Sequence, residues 1–300
     1  MLCAASAHAD NHGAASDLHW SVLMEHTYRV EPDITYLIAD GYESKLDVIA
    51  PRDTAQKLPT LIYIHGGGWV GGTKERSTLH YLRYLQMGFA VVNVEYRMAR
   101  DALAPAAVED TRCALRWVIN NADQYGLDAN RIVVSGHSAG GHLSLTTGML
   151  PASARFDRRC PRRNPLGAVA DADFPEMKVA AIVNWFGITD VADLVEGDNA
   201  KTYAVAWLGG MRDWKLVAKE VSPLTYVRRG LPPIITIHGN ADTIVPYDHA
   251  VRLHKQLNRR KVANQLITIE GGGHGGFPLD EHVAAMEQVR SFLQANGVLK

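Results

Sequence analysis

Hydrophobic positions in this chain fall into short, nearly unbroken runs, separated by longer stretches with helical spacing. Residues 61–64, 89–94, 131–134, 179–183, 234–237 and 265–269 are runs of four to six, mostly apolar, and each reads as a buried strand. Segments 75–87, 106–125, 139–149, 248–259 and 280–295 carry the helical pattern, and Gly126 stands where a helix C-cap belongs. Buried strands alternating with helices predict one α/β domain: a mostly parallel central sheet covered by helices on both faces, without internal repeats. Ahead of these units, the runs ITYLIA and KLDVIA flank Asp40-Gly41 and predict an antiparallel hairpin at a sheet edge.

Two segments break the rhythm. Residues 151–178 are polar, with Arg158-Arg159 and Arg162-Arg163 around Cys160-Pro161. Residues 190–222 carry Tyr203, Trp207 and Trp214 between two strands that one short helix would otherwise join. Both insertions are expected at the carboxyl edge of the sheet, where such folds hold ligands, as a small cap or lid.

The candidate chemistry sits at strand ends. Residues 131–143 read RIVVSGHSAGGHL: a strand, then Gly136-His137-Ser138-Ala139-Gly140, then a helix, which is the order of a G-x-S-x-G nucleophile elbow. A serine in so tight a turn crowds its neighbours, so the residues two before and two after it must lack bulk. A serine hydroxyl needs a base, the base needs an orienting carboxylate, and after such an elbow they follow in the order Asp or Glu, then His. The run 234–237 leads into Asp242, and 265–269 leads into Gly271-Gly272-Gly273-His274-Gly275-Gly276, where a histidine among glycines has no packing role. Ser138, Asp242 and His274 are therefore the expected catalytic set. His238 is the second-choice base, Asp190 and Asp193 are rival carboxylates, and His142 is expected to pack. The loop His65-Gly66-Gly67-Gly68-Trp69 matches an oxyanion loop, which assigns the N–H groups of Gly67, Gly68 and Ala139 to a developing oxyanion. Its continuation to Lys74 reads G-G-T-K rather than G-K-[ST], which argues against a phosphate loop. Trp69, His137, Trp185 and Trp207 are the expected substrate-binding residues, and neither a cofactor nor a metal site is indicated.

HGGGW, Glu95-Tyr96-Arg97, GHSAGG, the stretch Asn-Ala-Asp-Thr-Ile-Val-Pro at 240–246 and GGGHG together resemble the α/β-hydrolase esterases. Within them the chain is most similar to the bacterial feruloyl esterase-like carboxylesterases, neighbours of the hormone-sensitive-lipase-like group, over about residues 33–297. It departs from the lipase-like group at His137, where Asp is usual there, and at Met98-Ala99-Arg100, where a proline tends to follow the Tyr-Arg pair. The resemblance implies an α/β-hydrolase fold and serine carboxylic-ester hydrolysis through an acyl-enzyme, on feruloyl or other aryl or short-chain acyl esters. The same residues leave open a short-chain acetyl esterase, an amidase or aminopeptidase and, from another class, an inactive binding module.

Composition narrows the partners. A formal charge of −1 gives no electrostatic reason to expect nucleic acid or an anionic membrane, and the resemblance implies a small-molecule or polysaccharide-linked ester as the partner. No apolar run approaches the roughly 20 residues of a membrane span. Residues 2–9 end in Ala-His-Ala before Asp10, the small-x-small form of a signal-peptidase site. Residues 1–17 are accordingly expected to lie outside the fold as the remnant of an export signal, the domain being 18–300 and its destination periplasmic or extracellular. The alternative is a disordered Ala-rich terminus on a cytoplasmic protein. Beyond Cys3, Cys113 and Cys160 either pair in an oxidising compartment or stay as buried thiols.

Overall fold

The computed structural model describes residues 12–161 and 177–300. Helix α1 (His12–Thr27) leads into β1 (Tyr28–Ala39) and β2 (Tyr42–Pro51). These strands form a hairpin whose two-residue turn, Asp40-Gly41, has positive φ at both positions (53° and 79°), the geometry an Asp-Gly pair tolerates best. The chain then alternates through β3 (Leu58–Ile64), α2 (Thr78–Gln86), β4 (Ala90–Val94), α3 (Ala106–Tyr125), β5 (Leu127–His137), α4 (Ala139–Met149) and β6 (Ala181–Trp185). Two short helices, α5 (Thr202–Leu208) and α6 (Trp214–Glu220), precede β7 (Ile234–Gly239), α7 (Asp248–Arg259), β8 (Asn264–Ile269) and α8 (Leu279–Ala295).

The strands form one eight-stranded sheet in the order β1-β2-β4-β3-β5-β6-β7-β8. Only the β1–β2 and β2–β4 pairs are antiparallel. Alternation within single strands divides the core. Ile62 and Ile64 join the cluster under α3 and α4, whereas Leu61 and Tyr63 join the cluster under α2 and α8. After β3 the chain crosses to β4 on one side, and β5 lies on the other. The loops leaving β3 and β5 therefore diverge, and the crevice between them is where an open sheet of this kind binds ligands.

One expectation needs correcting. Helix α1 begins at His12, within the terminal segment 1–17; residues 1–11 lie outside the described residues. The end of α1 is held by Arg52, whose backbone N–H and Nε donate to the carbonyls of Thr27 and Glu25 (2.9 and 3.1 Å). The described part of the first cap segment, 151–161, packs into the core instead of covering the site. Cys160 is disulfide-bonded to Cys113 of α3, and Phe156 is buried. Asp157 takes both Nε and Nη2 of Arg112 (2.7 Å each), and Arg159 reaches Asp40 at the hairpin turn (2.7 Å). Its charged residues thus find partners on neighbouring elements. The rest of the segment, 162–176, lies outside the described residues. Among the described residues no helix is long and apolar enough to cross a membrane.

Candidate active site

β5 ends at His137 and α4 begins at Ala139, so Ser138 makes the whole turn, with φ 56° and ψ −122°. Such backbone costs an L-residue on the order of 1–3 kcal/mol and persists only where its surroundings over-determine it. Here the Ser138 N–H donates to the Trp185 carbonyl (2.9 Å), and the Ser138 carbonyl accepts from the His142 N–H (3.0 Å). The flanking glycines are required by contact. A Cβ on Gly136 would stand 2.3 Å from the Ile64 carbonyl oxygen, and one on Gly140 would stand 2.1 Å from the same atom.

The loops after β7 and β8 are tied together. The Ala241 N–H donates to the Gly272 carbonyl (2.9 Å) and the Gly271 N–H to Asn240 Oδ1 (2.7 Å). This brings Asp242 and His274 to the serine. His274 Nε2 lies 2.8 Å from Ser138 Oγ, and His274 Nδ1 lies 2.7 Å from Asp242 Oδ2. Because the carboxylate only accepts, His274 donates from Nδ1 and presents an unprotonated Nε2 to the serine hydroxyl. Burial would raise the Asp242 pKa, but hydrogen bonds from His238 and His274, the His274 charge and the Val245 N–H outweigh it and hold the carboxyl well below the usual carboxylate range.

His238, the rival base, stands behind the carboxylate. Its Nε2 is 3.2 Å from Asp242 Oδ2 and 3.0 Å from the Val245 carbonyl, and its side chain is fully buried. It braces Asp242 and does not meet Ser138. Asp190 and Asp193 are engaged with Arg252 (2.8 and 3.3 Å), and Asp193 also with His249. Neither joins the serine. His142 packs as expected: Nδ1 accepts from Trp69 Nε1 (3.2 Å) and Nε2 donates to the Val221 carbonyl (2.7 Å).

Gly67 and Gly68 line the same cavity as Ser138, and Ala139 opens α4 beside it. Gly67 has φ 125°, and its carbonyl accepts from the N–H groups of Val70 and Gly71, which curls the loop back on itself. A Cβ there would be 1.9 Å from the Gly71 oxygen. The Glu95-Tyr96-Arg97 motif supports this loop from below. Tyr96 stacks on His65 (4.4 Å) and its hydroxyl donates to the His65 carbonyl, while Arg97 is fixed by the fully buried Asp110. Lys74, at the end of the glycine-rich run, is caged by Asp33, Asp47 and Glu75 (3.0, 2.8 and 2.8 Å), consistent with dismissing a phosphate loop.

The cavity measures about 550 Å³. Of the four expected substrate-binding residues it includes His137 and Trp185. His137 is pushed down to about 3, chiefly by burial and then by neighbouring imidazoles, and its Nδ1 meets the Tyr63 hydroxyl (3.2 Å). Trp69 and Trp207 do not line the cavity. Both are fully buried, stacked face to face at 4.2 Å beneath the glycine loop, because Trp69 itself adopts φ 60°. The loop shows Val70 to the cavity instead. From the second cap segment, Tyr203 of α5 reaches the cavity, packed over Gly68 with its hydroxyl on the Ile244 carbonyl (3.2 Å). No described residue of 151–161 does. Sequence reasoning passed over His80 and Arg83 of α2, His282 of α8, and Phe277; all line the cavity but sit on covering helices or loops without a local motif.

Known proteins share this architecture. A truncated carbohydrate esterase from gut microbiota superposes with a TM-score of 0.73 at 27% identity, over 91% of this chain and 98% of that one. Butyrate-bound esterase 2 of Thermogutta terrifontis gives 0.71 at 26%, over 92% and 96%. Esterase LipC of Mycobacterium tuberculosis is 28% identical over 253 residues, 81% of this chain and 60% of LipC. The chain spans about half to three-fifths of the length of such curated relatives, LipQ of the same organism being covered to 48%. These likenesses identify the α/β-hydrolase fold. The BD-FAE family model matches residues 46–257, from β2 through the elbow and Asp242 into α7, and on that extent of agreement the chain belongs to the BD-FAE family.

Proposed function

We propose that this protein is a serine carboxylic-ester hydrolase working through an acyl-enzyme. The observation that carries the reading is the unbroken relay Ser138 Oγ–His274 Nε2–His274 Nδ1–Asp242 Oδ2, at 2.8 and 2.7 Å, opening on a largely aromatic cavity. Ser138 attacks the ester carbonyl while His274 Nε2 takes its proton. Asp242 keeps the tautomer and stabilises the imidazolium. The alcohol leaves with the proton returned by His274, and a water activated at Nε2 then resolves the acyl-enzyme. The N–H groups of Gly67, Gly68 and Ala139 receive the oxyanion, each donor contributing on the order of 10²–10³ in rate.

The finer reading is a feruloyl or other aryl acyl group, or a short acyl group, on a carbohydrate. Phe186, Phe277 and Trp185 support it as flat cavity walls, and the gut carbohydrate esterase supports it as a structural relative. Export to an oxidising compartment is supported by the Cys113–Cys160 disulfide and the Ala-His-Ala motif. Initial rates on p-nitrophenyl esters from acetate to decanoate and on methyl ferulate, with Ser138→Ala as control, test the reading. Ester turnover abolished in that variant supports it, and turnover that survives overturns it. Methyl ferulate hydrolysed no better than short p-nitrophenyl esters removes the feruloyl assignment alone.

A further inference from the structure

We propose that Arg83, with the imidazoles beside it, forms a subsite for a carboxylate carried by the ester substrate. This deepens the ester-hydrolase reading of Ser138 and rests on it. Arg83 lines the same cavity as Ser138. Its Nε donates to the His80 carbonyl (2.9 Å), Nη1 meets His282 Nε2, and its guanidinium lies over the Trp185 ring at 4.9 Å. The group is therefore held in place before any ligand arrives. Among the described residues its Nη2 has no hydrogen-bond partner and no carboxylate lies within 4.0 Å of the guanidinium. Four other half-buried or buried arginines hold carboxylates: Arg97 holds Asp110, Arg112 holds Asp157, Arg131 holds Asp128 and Arg252 holds Asp190.

Among the described residues no aspartate or glutamate lines the cavity or gives Arg83 a counter-ion there, and Asp242 is screened behind His274. The neighbouring imidazoles do not compete as charges. His282 is pushed down to about 4 by burial and then by the Arg83 charge, and His80 is lowered for the same two reasons. At neutral pH both are uncharged, and His282 Nε2 accepts from Arg83 Nη1, which leaves Arg83 as the one fixed cation of the group. A planar guanidinium with a free amino edge beside uncharged imidazoles fits a carboxylate better than a hydroxyl. The subsite is also within reach of the reacting centre. His137, next to the nucleophile, packs its ring against His80 at 4.7 Å, and Arg83 is one helical turn on from His80. A carboxylate on either the acyl or the alcohol side of the ester meets this description.

The test is a ratio of kcat/KM values within matched pairs. On the acyl side, p-nitrophenyl hemiesters of succinic, glutaric and adipic acids are set against p-nitrophenyl butyrate, valerate and hexanoate. On the alcohol side, 4-acetoxybenzoate is set against its methyl ester. Wild-type enzyme should favour the carboxylated member by about tenfold or more in one arm, mainly through KM. Arg83→Gln should bring that ratio close to one. Because the readout is a ratio, a general loss of activity in the variant does not imitate the result. The wild-type preference should also shrink as KCl is raised, which needs no variant at all. Absence of preference in both arms, or a preference that Arg83→Gln or salt leaves intact, overturns the subsite while p-nitrophenyl acetate turnover keeps the hydrolase reading standing. Failure of every ester overturns both.

Discussion

Replacing Asp242 by Asn exchanges one carboxylate oxygen for an amide NH2 at nearly constant shape, and the surroundings dictate which way that amide must face. In the native site Oδ1 accepts from the backbone N–H groups of Ile244 and Val245 (2.8 and 3.0 Å), while Oδ2 accepts from His274 Nδ1 and His238 Nε2 (2.7 and 3.2 Å). An amide cannot accept at both ends. With its carbonyl toward the backbone, both N–H groups stay satisfied. The reverse orientation sets NH2 against two N–H donors, at about 1–3 kcal/mol for each one left unpaired. The carbonyl therefore remains with the backbone, and the NH2 meets His274 Nδ1.

His274 must then accept at Nδ1 and carry its proton on Nε2, the atom that should receive the proton of Ser138. The nucleophile loses its base without the site losing its shape. A wrong-tautomer defect of this kind lowers kcat on the order of 10⁴-fold, about 5 kcal/mol of transition-state stabilisation. The assay is kcat on p-nitrophenyl butyrate, normalised to the fraction of Ser138 that reacts with a fluorophosphonate probe over long incubation, together with a thermal melt. A folded Asp242→Asn enzyme with kcat within tenfold of wild type would refute the tautomer argument.

Three further outcomes follow from the geometry. Gly140→Ala puts a Cβ 2.1 Å from the Ile64 carbonyl and 2.6 Å from that of His65, so the variant should melt at least several degrees lower or fail to accumulate folded; Gly273→Ala, which meets nothing within 4 Å, should keep its far-UV circular dichroism melt. The Cys113–Cys160 bridge closes a loop with a sequence separation of 47, so the Cys113→Ser/Cys160→Ser pair should cost about 4 kcal/mol on the chain-entropy model, read as a lower urea midpoint; an unchanged midpoint counts against that model here. Stability should fall in mild acid: burial holds His142, His249 and His254 down to about 4, whereas in the unfolded chain they titrate near 6.5. The unfolded state therefore binds more protons across that window, and stability, complete above about pH 6.5, should decline toward pH 4 by about 1 kcal/mol per pH unit for each such histidine. Below that the depressed Asp242 carboxyl continues the loss, and a urea midpoint flat from pH 7 to 4.5 contradicts the assignment.

What was legible in the sequence is what short-range sterics decide. Gly136 and Gly140 could be read as obligatory because the crowding around Ser138 is set by residues two positions away, and the contacts with Ile64 bear that out. Asp242 and His274 could be read because each follows a strand within a few residues, the buried β7 and the half-buried edge strand β8, leaving the loop little room to carry them elsewhere. The course of 151–161 was missed because its arginines look like a solvated surface until Asp40 and Asp157 come into view as partners.

The tryptophans show why substrate choice is harder to read than reaction type. An aromatic side chain has the same character in a core and in a binding wall, and only the positive φ of Trp69 sends it beneath the loop onto Trp207. Once there, it packs beneath the glycine loop that lines the cavity, and its Nε1 donates to His142 of the elbow helix. The motifs accordingly support the proposed ester hydrolysis and say little about which ester. Part of the cavity wall is supplied by α2 and α8, whose Arg83 and His282 are 199 residues apart and meet because the sheet order brings those two helices onto the same face. On each helix taken alone, such a residue belongs to the polar face of an ordinary surface helix. Specificity in this fold is therefore written in residues whose local sequence context is that of solvent-exposed positions, and the three-dimensional meeting of Arg83, Trp185 and His282 is the first place it becomes visible.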